Sequence, residues 1–374
     1  MTLCLVLICV VIALRLYLCA RQLGHLALPG RSYPYAAAVL RLHFAQVLAQ
    51  AASGVVLIVW LARSPVSGYV WGAMILIGAI LLLALIDLAI SAFRSFLVDR
   101  RFGFNRRSRR QFLGEACRVL ALHAATACAL SAAAIGSMAI AGNWWWLLLV
   151  VLGVPCVRIA GDLYKRFDQA YLRPGEVSAH AGLARRLRAC LHRCGFPDAQ
   201  IMVLRSSGRS SLANAHAEQI GRQRRVVLQD TLLERLCDAQ VEAVVAHELG
   251  HLAAGHLPRR HLLLCAIWTV VLGLSALFAR QAFVGMDWKQ LVAVVVLAQP
   301  IRFLMQPLLT RRLRAWEYEA DGFAARRVPA KSLRDALVLL FSVNASAPDS
   351  DLWFAEFYQS HPPLAERLRR LSEA

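Results

Sequence analysis

The chain has 374 residues, of which 58% are hydrophobic and only 17% charged, with a mean hydropathy of +0.51. Soluble proteins carry about a quarter charged residues, so this composition excludes an ordinary soluble domain and points to a membrane protein. The formal net charge is +19, but the arginines stand beside apolar runs, where membrane topology accounts for them and nucleic-acid binding does not.

Lysine is nearly absent (Lys165, Lys289, Lys331), so the basic count is almost all arginine. With abundant Ala and Leu, that bias fits a GC-rich bacterial genome. The ten cysteines form no framework. Cys4, Cys9, Cys19, Cys128, Cys156 and Cys265 lie in apolar runs, where Cys behaves as a small hydrophobe. Cys190 and Cys194 have no second Cys/His pair at zinc-knuckle spacing and read as structural positions on a helix.

In chain order, the N-terminal MTLCLVLICVVIALRLYLCA has no leading basic residues and no A-x-A-like cleavage site, and reads as a retained transmembrane helix. Further apolar runs of roughly 18 or more residues lie near 46–62, 70–93, 119–141, 144–161, 261–280 and 290–309, which makes seven spans. Pro155 and Pro300 interrupt the fifth and seventh, a feature tolerated in membranes where neighbours satisfy the freed carbonyls. Segment 94–118 carries eight arginines against Asp99 and Glu115. By the positive-inside rule it is cytoplasmic. The N-terminus is then outside, and segments 162–260 and 310–374 are both inside. Asp87, within the third span, either faces a polar cavity or makes a helix–helix hydrogen bond, and in both cases avoids lipid.

Segment 162–260 is the soluble insert. HAGLARRLRACLHRCGFP has helical periodicity. QIMVLR and RRVVLQD read as strands or a hairpin around a Ser/Gly-rich stretch. From 238 to 256 apolar residues recur at Val241, Val244, Val245, Leu249 and Leu252, a helical stripe. That helix carries His247, Glu248 and His251 in the spacing H-E-x-x-H. On a helix the two histidines are separated by about 6 Å of rise and about 40° of rotation, so both imidazoles reach one ion. Glu248 projects about 60° further round, where it touches a water on the metal without ligating. Two neutral imidazoles suit Zn²⁺ in a site with an open position. Glu248 would take the water's proton and pass it to the leaving amine.

Two histidines fall at this spacing by chance in some chains, so a third ligand is required, and a carboxylate would complete a His₂Glu set. RRLRAWEYEADGFAARR, just after the last span, offers Glu317 and Asp321 four apart on a helix. One could ligate while the other hydrogen-bonds a ligand histidine. Glu319 competes on spacing alone. The alternative is a surface charge arrangement with Arg314.

Together these residues resemble the type 1 CAAX prenyl proteases, integral-membrane gluzincins with seven spans around a large intramembrane chamber. RAWEYEAD is similar to the family's R-x-x-E-[FY]-x-A-D and VVLQDTLL to its V-L-x-D-T-L-L. FGFNRRS, LANAH and YQSHPPLAERL match further motifs in order, and His256 follows His251 at the family's spacing. His216 stands where the family has an aromatic, and Phe102 precedes Gly103 where eukaryotic members have His. The resemblance implies His247, His251 and Glu317 as ligands of one Zn²⁺ per chain, with Glu248 as general base and Asp321 orienting a ligand histidine. It also implies Asn214, on an edge strand, holding the substrate backbone, His361 stabilising the oxyanion, and Arg367 positioning the C-terminal segment. His216 and His256 are assigned structural roles.

The expected fold is a mainly α integral membrane protein with about seven transmembrane helices and a zincin-like α+β metalloprotease domain. Its parts are 1–161 with five spans, 162–260 with the H-E-x-x-H, 261–309 with two spans, and 310–374 completing the metal site. The expected activity is zinc endopeptidase cleavage of membrane-associated or lipidated, CAAX-like substrates in a bacterial inner membrane, with no nucleic-acid partner. The alternatives are a quality-control protease like the HtpX-type heat-shock proteases, which have fewer spans, or a non-catalytic membrane scaffold, against which the intact ligand set argues.

Overall fold

The computed structural model describes residues 1–374 except 29–32, 66–67, 154–171, 175–176, 178–180, 286 and 374. Its first half is a set of long apolar helices: α1 (Thr2–Leu26), α2 (Pro34–Arg63), α3 (Tyr69–Phe93), extended by a π-helical turn at Arg94–Asp99, and α4 (Arg109–Ala141). Pro34 opens α2, where its missing N–H costs nothing. Ser108 and Gln111 cap α4 reciprocally, the Ser108 hydroxyl accepting from Gln111 N at 3.2 Å and Gln111 Oε1 from Ser108 N at 2.8 Å. Gly142, with φ +48°, ends α4 in the left-handed region, and helix resumes at 145–153. The remainder of the expected fifth span, with Pro155, lies outside the described residues, as does most of the opening of the soluble insert.

Among the described residues, six helices are long and apolar enough to cross a membrane. They leave large side chains such as Val56, Val70, Ile140 and Leu262 facing outward, as helices that are apolar all round do in lipid. The inner faces meet in a core that includes Cys4, Ile8, Ile58, Leu61, Leu76, Val271, Val292 and Leu297. The chain is an integral membrane protein.

The second half begins with β1 (Leu172–Pro174) and α5 (Ala181–Arg193), followed by β2 (Gln200–Leu204), β3 (Ala215–Ile220) and β4 (Gln223–Gln229). The sheet runs β1-β2-β4-β3, with β2 and β4 parallel and the other pairs antiparallel. QIMVLR and RRVVLQD supply β2 and β4; β3, AHAEQI, is the edge strand beside β4. Gly221 turns β3 into β4 with φ +60°. A short helix α6 (Asp230–Leu233) leads to α7 (Asp238–Ala253), α8 (His256–Ala282), α9 (Asp287–Ala325), α10 (Ala330–Val343), α11 (Leu352–Tyr358) and α12 (Leu364–Ser372).

Leu187, Val226, Leu228, Val241, Val245 and Leu249 fill a second core between α5, the sheet and α7. Each fully buried aliphatic side chain there contributes about 1.5–3 kcal/mol relative to exposure, before the entropy of ordering it. Cys190 and Cys194 are buried in this core as free thiols with sulfurs 3.9 Å apart. The buried Glu242 of α7 is held by Arg186 and Arg193 of α5. The helical stripe read from the sequence is therefore the buried face of α7.

Two features go beyond the sequence reading. The boundary expected at 309/310 falls inside one 39-residue helix, α9, which contains Pro300 and Pro307 without ending at either. The Arg-rich loop is also not free. Asn105 bridges Ser210, Arg106 N donates to Arg209 O at 3.1 Å, and Ser211 N donates to Phe104 O at 3.1 Å. The FGFN segment thus extends the edge of the soluble part. Loop 94–118 and the catalytic half lie together on one side.

Candidate metal centre and active site

The turn between α7 and α8 sets up the site. Gly255 has φ +64°, the left-handed conformation that ends a helix at little cost only for Gly or Asn. Its N–H donates to Leu252 O at 3.2 Å, and α8 starts at the next residue. The membrane helix thus leaves the motif helix at once. Helix α9 then returns and packs on α7 so closely that Gly250 faces the Ala320 backbone; a Cβ there would stand 3.0 Å from Ala320 Cα. One turn earlier on α9, Glu317 arrives beside the histidines.

The distances within this group are short and even. His247 Nε2 lies 3.2 Å from His251 Nε2, His251 Nε2 3.5 Å from Glu317 Oε1, and His247 Nε2 3.6 Å from Glu317 Oε2. Three ligand atoms at zinc bonding distance in a tetrahedron stand about 3.3–3.4 Å apart. The residues therefore fit such an ion, with two imidazole nitrogens and one carboxylate converging on it. Glu319, the competitor on spacing, faces His256 at 3.0 Å and does not join the group. Nor does Arg314 form the surface charge pattern considered above.

The next layer holds the group in place. Asp321 Oδ1 is 2.9 Å from His247 Nδ1, the ring nitrogen facing away from the triangle. Arg367 of α12 grips Asp321 with both arms, Nε donating to Oδ2 at 2.8 Å and Nη2 to Oδ1 at 2.6 Å, and its Nη1 lies 3.5 Å from Glu317 Oε2. Both side chains of this pair are 5% exposed. His361 Nδ1 stands 3.0 Å from Glu317 Oε2 while its ring remains 65% exposed. Arg314 secures the approach to His361: its Nη1 donates to Ala355 O at 2.8 Å and Gln359 O at 3.0 Å, two residues before His361. Only a packed C-terminal segment reveals that clamp, so the sequence did not show it.

Burial opposes charge on both His247 and His251, but Asp321 and Glu317 outweigh it at His247 and raise its pKa. His251 is pushed down by burial and by the charge on His247. The two carboxylates thus favour positive charge at His247, whereas a metal takes both rings neutral. Burial pushes the Glu248 carboxyl up, as does the nearby Glu317, while His247, His216 and the Ala217 N–H pull it down. A carboxylate with a raised pKa is a better proton acceptor at neutral pH.

A cavity of about 370 Å³ opens over the group, lined by Glu248, His251, Glu317, His361 and the edge strand at Asn214–Ala217. Asn214 sits at its rim, one residue before β3. Its Oδ1 accepts the Ala215 N–H at 2.9 Å and its carbonyl accepts the Gln229 N–H at 3.0 Å, so it fixes where the edge begins. His361 also lines a second cavity of about 700 Å³ between α1, α2, α3 and the C-terminal segment. Asp87 lies on that cavity's wall, accepting from Gln46 Nε2 and Gln50 Nε2 at 2.7 Å each. Both readings of Asp87 thus describe its surroundings. His256, assigned a structural role on sequence, lies 3.0 Å from His251.

A two-histidine, one-carboxylate cluster with an adjoining glutamate, under a cleft edged by a free strand and built on membrane helices, defines a membrane metallopeptidase. The comparisons place it within one family. The chain belongs to peptidase family M48, whose family model matches residues 178–374. A second model, described as CAAX prenyl protease N-terminal with five membrane helices, matches residues 35–159. Among curated relatives, the CAAX prenyl protease 1 homolog of Arabidopsis thaliana is 28% identical over 305 residues, covering 76% of this chain and 69% of that protein. The human CAAX prenyl protease 1 homolog is 26% identical, covering 78% and 72%. The crystal structure of S. mikatae Ste24p superposes with a TM-score of 0.81 over 98% of this chain and 97% of that one, at 22% identity, a likeness of fold. The chain is a membrane metallopeptidase of this family, similar to the CAAX prenyl proteases.

Proposed function

We propose that this chain is a zinc endopeptidase that cuts membrane-associated, CAAX-like peptides at the cytoplasmic face of the membrane, with His247, His251 and Glu317 holding one ion. The observation that carries this reading is the near-equilateral triangle of His247 Nε2, His251 Nε2 and the Glu317 carboxylate, with edges of 3.2–3.6 Å. When bound, zinc polarises a carbonyl and acidifies a water. The chain's own groups do the rest. Glu248 takes the proton of the attacking water and delivers it to the leaving amine. His361, exposed at the mouth of the cleft, donates to the developing oxyanion. The free edge of β3, starting after Asn214, takes the substrate as an added strand and aligns its scissile bond. Asp321 holds His247 in the tautomer that leaves Nε2 free.

The cytoplasmic placement rests on the eight arginines of 94–118 and on that loop's hydrogen bonds to 206–211, which put it on the site's side. A lipidated substrate is favoured by the 700 Å³ cavity among membrane helices, which shares His361 with the cleft. The test has two arms. Purified protein should hold one zinc per chain and cleave a peptide, and Glu248→Ala should keep the zinc while losing about 10²–10⁴-fold in rate; full activity of that variant would refute the mechanism. A farnesylated C-a-a-X peptide assayed beside its unmodified form and an unfolded membrane protein then separates processing from quality control. Preference for the unfolded protein would overturn the substrate reading.

A further inference from the structure

His256 is 3% exposed, yet the cleavage scheme above leaves it unused. It is the first residue of α8, folded back under α7 by the left-handed Gly255. Its ring stacks on Trp316 of α9 with centroids 5.1 Å apart and planes at 16°. Both of its nitrogens are engaged. Nδ1 lies 3.0 Å from His251 Nδ1, and Nε2 lies 3.0 Å from Glu319 Oε2.

The protons on this chain follow from the metal-site reading, on which the inference rests. A histidine that ligates through Nε2 as a neutral ring carries its proton on Nδ1. His251 Nδ1–H must then donate to the bare Nδ1 of His256. That leaves the His256 proton on Nε2, where it donates to the Glu319 carboxylate. The donors and acceptors alternate without conflict along His251, His256 and Glu319. No other placement satisfies both contacts while leaving His251 Nε2 free.

We infer that His256 and Glu319 are positioning residues for the second ligand histidine, forming a carboxylate–imidazole–imidazole chain that orients His251 and strengthens its Nε2 as a donor. The site is then supported on both sides. His247 has its carboxylate, Asp321, in direct contact and fixed by buried Arg367. His251 is reached through an intervening ring, by a carboxylate 53% exposed. The second arm also joins the site to the start of a membrane helix, because His256 opens α8 and Trp316 and Glu319 lie on α9.

The experiment measures zinc affinity by chelator competition on the full-length protein in detergent or nanodiscs, with the d–d spectrum of the Co²⁺-loaded protein as a second readout. His256→Phe keeps a ring on Trp316 but offers no acceptor; zinc binding should weaken about 10–100-fold, the usual cost of removing a ligand's outer partner. His256→Asn places a carbonyl oxygen near the Nδ1 position and should recover most of that loss. Glu319→Ala, at an exposed position unable to unfold the chain, should weaken zinc toward the lower end of the same range. An altered Co²⁺ spectrum in His256→Phe, restored in His256→Asn, supports ligand orientation. Wild-type zinc affinity in both His256→Phe and Glu319→Ala overturns the inference; if His256→Phe does not fold, Glu319→Ala alone decides. Should the wild-type protein itself bind no zinc, the metal-site reading has failed instead.

Discussion

Gly250 sits at the closest approach of α7 and α9, between the histidine pair on one helix and Glu317 and Asp321 on the other. In Gly250→Ala the new Cβ would lie 3.0 Å from Ala320 Cα, 3.1 Å from Ala320 O and 3.2 Å from Phe323 Cβ. Ordinary carbon contacts are about 3.5–4.0 Å, so the helices must separate by roughly 0.5 Å. Two of the three obstructing atoms are Ala320 backbone, its Cα and its carbonyl oxygen, and no rotamer change relieves them. Overpacking of this kind costs about 1–3 kcal/mol, against about 1 kcal/mol gained by replacing helical Gly with Ala. The protein should still fold. Metal–ligand bonds, however, hold to within about 0.2 Å, and Glu317 is one turn from the forced contact. Zinc affinity should fall at least about 10-fold, or about 1.4 kcal/mol, and peptidase activity with it. Chelator competition and a peptide-cleavage assay read this out. Gly114→Ala in α4, with nothing within 4 Å of its Cβ, is the control and should leave both unchanged. A Gly250→Ala protein with wild-type zinc affinity and activity would refute the idea that this contact sets the ligand geometry.

Other outcomes follow from the same contacts. Arg367→Leu strands Asp321 without its bidentate partner in a buried site and should destabilise by about 3–5 kcal/mol, seen as a large loss of thermal stability. Glu242→Leu releases two arginines that are 46% and 47% exposed and can reach water, so its cost should stay below about 2 kcal/mol in the same measurement. Asp230 accepts from Ser206 N, Ser207 N and Thr231 N and from both serine hydroxyls; burial pushes its carboxyl up, but the Ser207 and Ser206 bonds outweigh that and hold it below the ordinary range. Because its folded pKa is depressed, its contribution is present above the unfolded value of about 3.9 and fades as pH falls through the folded value. Asp230→Ala should therefore lower the melting temperature at pH 7, with the gap to wild type closing below about pH 4. A gap that persists at low pH would show that the carboxylate's charge is not what holds the Ser206–Ser207 turn.

The parts legible in the sequence were those whose signal is local. H-E-x-x-H on an apolar stripe placed His247, Glu248 and His251 on one face of α7 because helical spacing alone does that. Glu317 and Asp321 required the span count and the family resemblance together, since nothing local ranks Glu317 above Glu319. The structure separates them by which face of α9 packs on α7. Strand β3 was announced only by the family resemblance, because AHAEQI is polar at an edge and lacks the alternation of a half-buried strand. The continuity of α9 was hidden by Pro300 and Pro307, which usually mark an end. The contact of His256 with His251 was hidden because it is made only through the left-handed turn at Gly255, a tertiary fact that its neighbours in sequence do not announce. The role of FGFN in the Arg-rich loop was masked by its charge, which spoke of topology and not of its hydrogen bonds to the strand region.

Helix α9 has 39 residues, about 58 Å of continuous helix, nearly twice the roughly 30 Å of bilayer hydrocarbon. Glu317 lies some 30 residues, or about 45 Å, along it. One end of the rod is packed among Val271, Ile58 and Leu61 in the membrane core; the other presents a candidate ligand to His247 and His251. The peptidase half therefore has no detachable head, and no truncation yields a soluble enzyme without severing the rod that delivers its carboxylate. A tilt or bend of this helix in the bilayer would be carried along it to Glu317, so the thickness of the surrounding lipid should bear on the geometry of the candidate ligand group.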